Sequence, residues 1–167
     1  KRSAKKLFDL HKKIALLKFL DPACGCGNFL VIAYRELRLL ELELLRATLS
    51  TGHINLIESV QVNVDQFFGI EIEEFPAQIA QVALWLTDHQ MNMRVSEEFG
   101  HYFRRLPLTH AAAIRNGNAL RLDWNDVVSA EAVDYILGNP PFVGKQFQND
   151  EQKADMKNVF IGVKGAI

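Results

Sequence analysis

The chain has 167 residues, of which 49% are hydrophobic, and its formal net charge is −1. This length and composition exclude a disordered or collagen-like chain and fit one globular domain with a sizeable core. A near-zero charge also excludes a domain that holds duplex DNA by itself through a large basic excess, so most of any DNA-binding surface would lie outside this chain.

The N-terminal segment predicts a helix followed by a buried strand. Residues 5–13 have helical spacing, and three apolar side chains share one side: Leu7, Leu10 and Ile14. The apolar run of residues 16–20 stops at Asp21 and predicts the first strand. The basic residues near the start indicate either a solvated helix face or an arm that contacts phosphates. We therefore divide the chain into a helical lead-in, residues 1–15, and a main domain, residues 16–167.

Two long helices and a second strand are predicted next. Residues 28–48 have the spacing of an amphipathic helix, with an apolar face of Leu30, Ala33, Leu37, Leu40 and Leu44 and polar positions between them at Arg35, Arg38 and Glu41. Residues 50–63 predict a connector, and residues 66–72 predict a strand. Pro76 suits the first turn of a further helix, whose buried face is predicted to be Ile79, Val82, Ala83 and Leu86. Residues 93–108 have no regular pattern.

Two more strands complete the predicted architecture. Residues 111–114 predict a third strand, and residues 133–137 predict a fourth that stops at Gly138. Strands that alternate with helices indicate an α/β fold with a mainly parallel sheet and helices on both faces. Ligands bind such sheets beyond the carboxyl ends of the strands, so functional residues are expected there.

The segment after the first strand, Asp21-Pro22-Ala23-Cys24-Gly25-Cys26-Gly27, predicts a ligand-binding turn. Its glycines allow the backbone to approach a ligand, and the following helix N-terminus favours a carboxylate or phosphate. Asp21 adds an acceptor for an ammonium group. A dinucleotide site would have a third glycine where Leu30 stands. The pattern therefore favours an amino-acid ligand, such as the methionine part of S-adenosylmethionine, with a purely structural turn as the alternative.

Two polar residues follow the second and third strands. A carboxylate at Glu71 can accept hydrogen bonds from both hydroxyls of a ribose, although surface exposure alone explains many glutamates. The amide of Asn118 can contact the amino edge of the cofactor's adenine. A turn formed by Asn116-Gly117-Asn118 is the alternative.

The fourth strand is followed by the most specific motif, Asn139-Pro140-Pro141-Phe142. Prolines lack N–H donors and leave carbonyl oxygens that only accept, and Asn139 adds a further acceptor. Together they can accept two hydrogen bonds from an exocyclic amino group, while Phe142 stacks on the base. Methyl transfer from a sulfonium depends mainly on positioning. The alternative is a loop without a chemical role.

Other classes of site are not favoured. Cys24 and Cys26 cannot supply the four ligands of a zinc site, and a disulfide between them would be strained, so no metal is predicted. No apolar run approaches the roughly 18 residues that a membrane span needs. The N-terminus lacks the apolar core of a signal peptide, and we expect a cytoplasmic protein without a membrane partner.

Together, the turn after the first strand and the tetrapeptide after the fourth resemble the motifs of amino-group DNA methyltransferases of the gamma arrangement. Residues 73–76 and 83–92 are similar to those of MmeI-like enzymes, which fuse a nuclease, a methyltransferase and a recognition domain. The resemblance implies a Rossmann-like methyltransferase fold, truncated here, that uses S-adenosylmethionine. It also implies a site-specific DNA adenine-N6 methyltransferase within a restriction-modification enzyme. Cys26 departs from the small polar residue of many relatives.

The resemblance implies roles for particular residues. It assigns the cofactor to Asp21, Pro22, Ala23, Cys24, Gly25, Gly27, Glu71, Ile72, Asn118, Ala119 and Asn139, and it assigns the target base to Asn139, Pro140, Pro141 and Phe142. The adenine would leave double-stranded DNA to reach this site. The implied partners are DNA and the remainder of a longer polypeptide, with a recognition domain and, as a further candidate, a nuclease. Because the family sheet has seven strands and about four are predicted here, we expect this chain alone to methylate DNA poorly or not at all.

Other functions remain as alternatives. The same tetrapeptide suits methylation of guanine N2 in RNA or of glutamine in proteins. A non-catalytic subunit that binds the cofactor is a second alternative. A nicotinamide-dependent oxidoreductase is disfavoured by Leu30.

Overall fold

A computed structural model describes residues 2–49, 59–100 and 112–162. Helices and strands alternate as far as the third strand, and the third and fourth strands are then joined by a segment that has a 3-10 turn but no α-helix. The helices are α1 (Arg2–Ile14), α2 (Asn28–Leu49), α3 (Glu74–Phe99) and α4 (Asp150–Val159), and the strands are β1 (Phe19–Asp21), β2 (Phe67–Glu71), β3 (Ala113–Asn116) and β4 (Tyr135–Ile136).

The four strands form one parallel sheet in the order β3-β2-β1-β4. Phe19 of β1 is in register with Phe67 on one side and Tyr135 on the other. The three rings stack, with centroids 4.9 and 5.4 Å apart, and fix this register by side-chain packing. The predicted parallel α/β architecture is confirmed.

Each face of the sheet has its own core. Helices α1, α2 and α3 pack on the first face, around the buried side chains of Ile14, Leu30, Tyr34, Phe67 and Leu84. On the second face, Leu20, Ile70 and Val128 are covered by apolar residues of the segment 119–133, which contains a short 3-10 turn, Trp124–Asp126. Burial on both faces explains why the two central strands, β1 and β2, are almost continuously apolar before their terminal carboxylates.

The predicted buried faces of the helices were partly wrong. Four predicted core residues are exposed: Leu10, Leu40, Val82 and Leu86. The helices instead bury Arg38 and Glu41 of α2, and Ala80, Leu84 and Asp88 of α3. Burial of these charges is possible because they pair with one another, which side-chain polarity alone does not predict.

A buried polar cluster joins α1, α2 and α3. The guanidinium of Arg38 donates to Asp88 Oδ1 (3.0 Å) and Asn92 Oδ1 (2.9 Å) and lies 3.3 Å from Glu41 Oε2. Glu41 also lies 2.9 Å from His11 Nε2 and accepts hydrogen bonds from the backbone N–H groups of residues 61 and 62. The cluster thus ties α1 and the entry to β2 to the long helices.

Several predicted boundaries shift. β1 begins at Phe19, not Leu16, which lies in a turn and is 77% exposed. β2 begins at Phe67 because residues 64–66 form a 3-10 turn, and the Gln66 side chain donates to the carbonyls of Ile14 and Leu17. The other strands also start later than predicted, at Ala113 and Tyr135.

The helix predictions change as well. α1 begins at Arg2, before the predicted residue 5, and α3 continues to Phe99 through residues predicted to be irregular. α3 ends at Gly100, whose left-handed φ of 66° is the usual way to stop a helix. Helix α4 was not predicted. Most of the predicted connector (residues 50–58) and residues 101–111 lie outside the described part of the chain.

None of the helices within the described residues combines the length and the apolar character that crossing a membrane requires.

Candidate cofactor and target-base site

The carboxyl ends of the four strands meet at one edge of the sheet. β1 ends at Asp21, β2 at Glu71, β3 at Asn116 and β4 at Ile136. The chain moves outward from β1 through β2 to β3 and then returns to the other side of β1 as β4. Such a reversal opens a crevice beyond the strand ends, where open α/β sheets bind ligands.

The turn after β1 is held to the end of β2 by two hydrogen bonds. The Cys24 N–H donates to the Ile70 carbonyl (3.0 Å), and the Gly25 N–H donates to Glu71 Oε2 (2.8 Å). Gly27 has a left-handed φ of 83°, and a Cβ there would lie 2.9 Å from the Cβ of Ala80. The turn therefore packs against α3 in a form that only glycine permits.

Asp21 is the most unusual residue of this edge. It is buried, and its Oδ1 accepts a hydrogen bond from the Ala23 N–H (3.0 Å). Its Oδ2 is buried without a hydrogen-bond partner among the described residues. Burial raises the pKa of the Asp21 carboxyl, and the nearby charge of Glu71 raises it further. A buried carboxylate oxygen without a partner is costly unless a ligand donates to it.

The tetrapeptide after β4 begins beside Asp21. The Leu137 N–H donates to the Leu20 carbonyl (2.9 Å), which continues the β1–β4 pairing. A Cβ on Gly138 would lie 2.5 Å from Asp21 Oδ1, so glycine is needed for the two segments to pass this closely. The next four residues, Asn139 to Phe142, are exposed, and the Phe142 side chain is 96% exposed. The structure therefore brings the first and last predicted motifs together.

Glu71 lies at the same edge and already accepts two hydrogen bonds. Its Oε2 binds the Gly25 N–H, and its Oε1 accepts from the Glu73 N–H at 3.0 Å. A carboxylate has about four acceptor positions, so two remain for other donors. The neighbouring Ile72 is 61% exposed, and its apolar side chain faces solvent next to the carboxylate.

Asn118 lies in the turn after β3 and has two side-chain partners. Its Oδ1 accepts from the Leu120 N–H (2.9 Å), and its Nδ2 donates to Asp155 Oδ2 (3.1 Å). The turn that was predicted as an alternative is therefore present, and the amide is also engaged by α4. Ala119 is half-buried and packs against the core of the second face.

Cys24 and the remaining turn residues have different surroundings. The Cys24 side chain is buried in the core of the first face, and burial raises the pKa of its thiol to about 12. A thiol that stays protonated is not a nucleophile at neutral pH, so Cys24 presents only its backbone to the crevice. Pro22 and Ala23 are half-buried in the turn. Among the described residues, no group of three or more His, Cys, Asp or Glu side chains is arranged to hold a metal ion.

Sequence analysis did not identify three residues that shape this edge. Asn116 donates from Nδ2 to the carbonyls of Glu71 and Ile72, at 3.0 and 2.9 Å, and so holds the end of β2. Gly138 makes room for Asp21, and Asp155 contacts Asn118 from α4. A signal for α4 was available, since Asn149 followed by Gln152 is the pattern of a capping box.

A cavity of about 410 Å³ lies on the second face of the sheet and reaches Ile136, the last residue of β4. It is lined by Leu20, Trp124, Val128, Val133 and Ile136, among others. None of the predicted site residues lines it, and its apolar walls lie beside β4, an edge strand of the described sheet. We therefore place the candidate functional site at the strand ends.

An α/β sheet with a glycine turn after β1 and an exposed Asn-Pro-Pro-Phe tetrapeptide after β4 defines a methyltransferase-type domain. The family described as "MmeI, DNA-methyltransferase domain" matches residues 1–167, and the chain belongs to this family.

Individual relatives agree with this membership. The chain is 42% identical over 163 residues to DNA methyltransferase A of Bacillus subtilis (strain 168), covering 95% of this chain and 18% of that protein. It is also similar to the chain in a structure of the type IIL restriction-modification enzyme MmeI in complex with DNA, with a TM-score of 0.91 and 61% identity. That match covers 98% of this chain and 22% of the MmeI chain. The chain therefore spans about a fifth of the length of these relatives.

Proposed function

We propose that this domain binds S-adenosylmethionine and transfers its methyl group to the N6 amino group of adenine in DNA. One observation carries the proposal: the unpartnered, buried carboxylate oxygen of Asp21 lies next to the start of Asn139-Pro140-Pro141-Phe142. An acceptor for an ammonium group is thus adjacent to acceptors for an amino group. Membership of a DNA-methyltransferase family supports this arrangement as a cofactor site beside a target-base site.

The residues at the strand ends fit the cofactor. Asp21 Oδ2 would accept from the ammonium group of the methionine part, and the start of α2 would face its carboxylate, because the first N–H groups of a helix have no intrahelical acceptors. The free acceptor positions of Glu71 suit the ribose hydroxyls, and the exposed Ile72 can contact the adenine. Because Gly25 has no Cβ, the space beside it is open: an atom at the Cβ position would have nothing within 4 Å. This space is available to the cofactor.

The tetrapeptide would hold the target amino group. Asn139 Oδ1 and the Pro140 carbonyl oxygen would each accept a hydrogen bond from one N–H of this group, which would aim the nitrogen lone pair at the methyl group. The bound cofactor supplies an electrophilic methyl carbon on a sulfonium. Phe142, which is almost fully exposed, would stack on the adenine after it leaves the duplex. As the new C–N bond forms, the S–C bond would break, S-adenosylhomocysteine would leave as a neutral thioether, and the N6 nitrogen would lose one proton to water. These residues act by position, and none of them needs to be a strong base.

The rest of the enzyme is part of the proposal. MmeI is described in complex with DNA and as a restriction-modification enzyme, and this chain matches about a fifth of it. We infer that this chain works within a longer polypeptide that supplies sequence recognition and most of the DNA contacts, in the cytoplasm of a bacterial cell. The net charge of −1 is consistent with DNA contacts that lie elsewhere.

The test is methyl transfer from radiolabelled S-adenosylmethionine by the full-length polypeptide, with duplex DNA, RNA and protein as acceptors. We expect label in DNA as N6-methyladenine, identified by nucleoside analysis, and loss of that label in Asn139→Ala. Asn158→Ala, an exposed position on α4, is the matched control and should keep the activity. Label in RNA or protein alone would replace DNA by one of the alternative substrates, and no transfer by a folded enzyme that binds the cofactor would favour a non-catalytic subunit.

A further inference from the structure

Helix α4 contacts the turn after β3 through hydrogen bonds and ion pairs. Asp155 is the one buried residue of this helix, while the apolar side chains near its C-terminal end are half-buried (Met156 and Phe160) or exposed (Val159, 46%, and Ile161, 74%). Hydrophobic burial normally fixes a surface helix. Here a carboxylate occupies the position where a core side chain would be expected, so its partners must explain its burial.

The partners of Asp155 lie in the turn that follows β3. Arg121 Nε donates to both carboxylate oxygens, at 2.9 and 3.1 Å, and Asn118 Nδ2 donates to Oδ2 at 3.1 Å. The hydrogen bond and charge of Arg121 lower the pKa of Asp155, with a further contribution from Asn118. Asp155 is therefore ionised at neutral pH and only accepts hydrogen bonds.

These contacts determine which way the Asn118 amide points. Its Oδ1 is held by the Leu120 N–H (2.9 Å), which only an oxygen can accept, and its Nδ2 is held by the Asp155 carboxylate, to which only a nitrogen can donate. An amide oxygen accepts two hydrogen bonds and an amide nitrogen donates two. Each end of Asn118 therefore keeps capacity for one more bond, in a fixed orientation.

We propose that Asp155 is a positioning residue of the methyltransferase site: it orients the Asn118 amide for the cofactor's adenine and ties α4 to the same turn. The proposal rests on the proposed function, in which Asn118 contacts the adenine. An adenine edge presents an N–H donor beside a ring-nitrogen acceptor, which matches a fixed amide oxygen beside a fixed amide nitrogen. A reversed amide would oppose donor to donor and acceptor to acceptor.

The same contact links the cofactor to the catalytic loop. Residues 137–149 connect β4 to α4 and contain the tetrapeptide. This segment is fixed at one end by the pairing of β4 with β1 and at the other by Asp155. A cofactor that engages Asn118 would thereby favour the arrangement of α4 seen here and limit the movement of the loop that holds the target base.

The test measures cofactor affinity of the full-length enzyme by calorimetry for Asp155→Ala, Asn118→Ala and the double variant. Glu151→Ala is the matched control, because Glu151 belongs to the same helix and contacts Arg121 (2.6 Å) but is not a partner of Asn118. Loss of one oriented hydrogen bond predicts a Kd for S-adenosylmethionine about tenfold higher in Asp155→Ala. Glu151→Ala should change it by less than about twofold.

The double variant separates orientation from general stability. If Asp155 acts through Asn118, Asp155→Ala should have no further effect on the Kd in the Asn118→Ala background, whereas independent effects would multiply. An analogue that lacks the 6-amino group of adenine keeps only the bond to the ring nitrogen, so the difference in affinity between wild type and Asp155→Ala should be smaller for it than for S-adenosylmethionine. Asp155→Asn, which keeps the size and one acceptor oxygen, should be intermediate and serves if the alanine variant fails to fold.

Three results would overturn the proposal. They are an unchanged Kd in Asp155→Ala, an equal loss in Glu151→Ala, and multiplicative losses in the double variant. Failure of the proposed function gives a different result, because wild type itself would then bind no S-adenosylmethionine and transfer no methyl group.

Discussion

The two glycines of the turn after β1 allow a sharp test, because only one of them is packed. Both have left-handed backbone, with φ of 55° at Gly25 and 83° at Gly27. A Cβ on Gly25 would meet nothing within 4 Å, whereas a Cβ on Gly27 would lie 2.9 Å from Ala80 Cβ and 3.2 Å from Ala80 Cα. Ala80 is fully buried on α3, so relief requires a movement of the helix or the turn.

The expected losses of stability follow from these contacts. A left-handed alanine costs about 1–2 kcal/mol at either position, and forcing an extra carbon into a packed contact costs about 1–3 kcal/mol more. We therefore expect Gly27→Ala to lower the free energy of unfolding by about 2–5 kcal/mol and Gly25→Ala by about 1–2 kcal/mol. The effect on cofactor affinity, measured on folded protein, should be larger for Gly25→Ala than for Gly27→Ala. The Cβ of Gly25→Ala would enter the proposed cofactor space, and we expect it to lower the affinity by roughly tenfold or more.

Urea unfolding gives the first quantity, and calorimetric titration with S-adenosylmethionine at low denaturant gives the second. Equal stability of the two variants would refute the packing argument for Gly27. Unchanged cofactor affinity in Gly25→Ala would refute the proposed place of the cofactor.

Three further predictions concern other parts of the structure. Burial raises the pKa of Asp21 above its ordinary 3.8, so the folded protein loses stability as the pH rises through the folded-state pKa. Urea unfolding at pH 4.5 and 7.5 should therefore show that Asp21→Asn gains stability relative to wild type at the higher pH. Its affinity for the cofactor should fall. Arg38→Met leaves two buried carboxylates without their partner and should cost about 3–5 kcal/mol in thermal unfolding, whereas Arg35→Met, at a half-exposed position, should leave the melting temperature unchanged. Phe142→Ala should leave the unfolding transition unchanged and lower methylation about tenfold to a hundredfold in a radiolabel assay. Phe147 is also exposed, and an equal loss in Phe147→Ala would contradict a specific stacking role for Phe142.

The sequence was most informative where local rules determine the structure. The turn that follows Asp21 is recognisable because glycine is needed for its backbone, and the parallel sheet follows from the alternation of strands and helices. The placement of Asn139-Pro140-Pro141-Phe142 at the same edge as Asp21 follows from the parallel direction of β1 and β4. The roles of these residues toward cofactor and base remain predictions.

The features that depend on a distant partner were not predictable. The buried face of α2 includes Arg38 and Glu41 because α3 supplies Asp88 and α1 supplies His11, and no local periodicity contains that information. The close approach of Gly138 to Asp21 joins residues that are far apart in sequence. Helix α4 is different, because its capping box of Asn149 and Gln152 is a local pattern of the sequence.

The position of β4 beside β1 has a consequence for the newly made chain. β1 is complete at Asp21, but its second neighbour begins at Tyr135. A ribosome that adds about 5–20 residues per second therefore leaves one edge of β1 unpaired for roughly 6–23 s. During that interval the strand is a template for pairing with other chains. The length of only three residues in β1 limits that hazard, and the crevice itself comes into existence only when β4 has been translated.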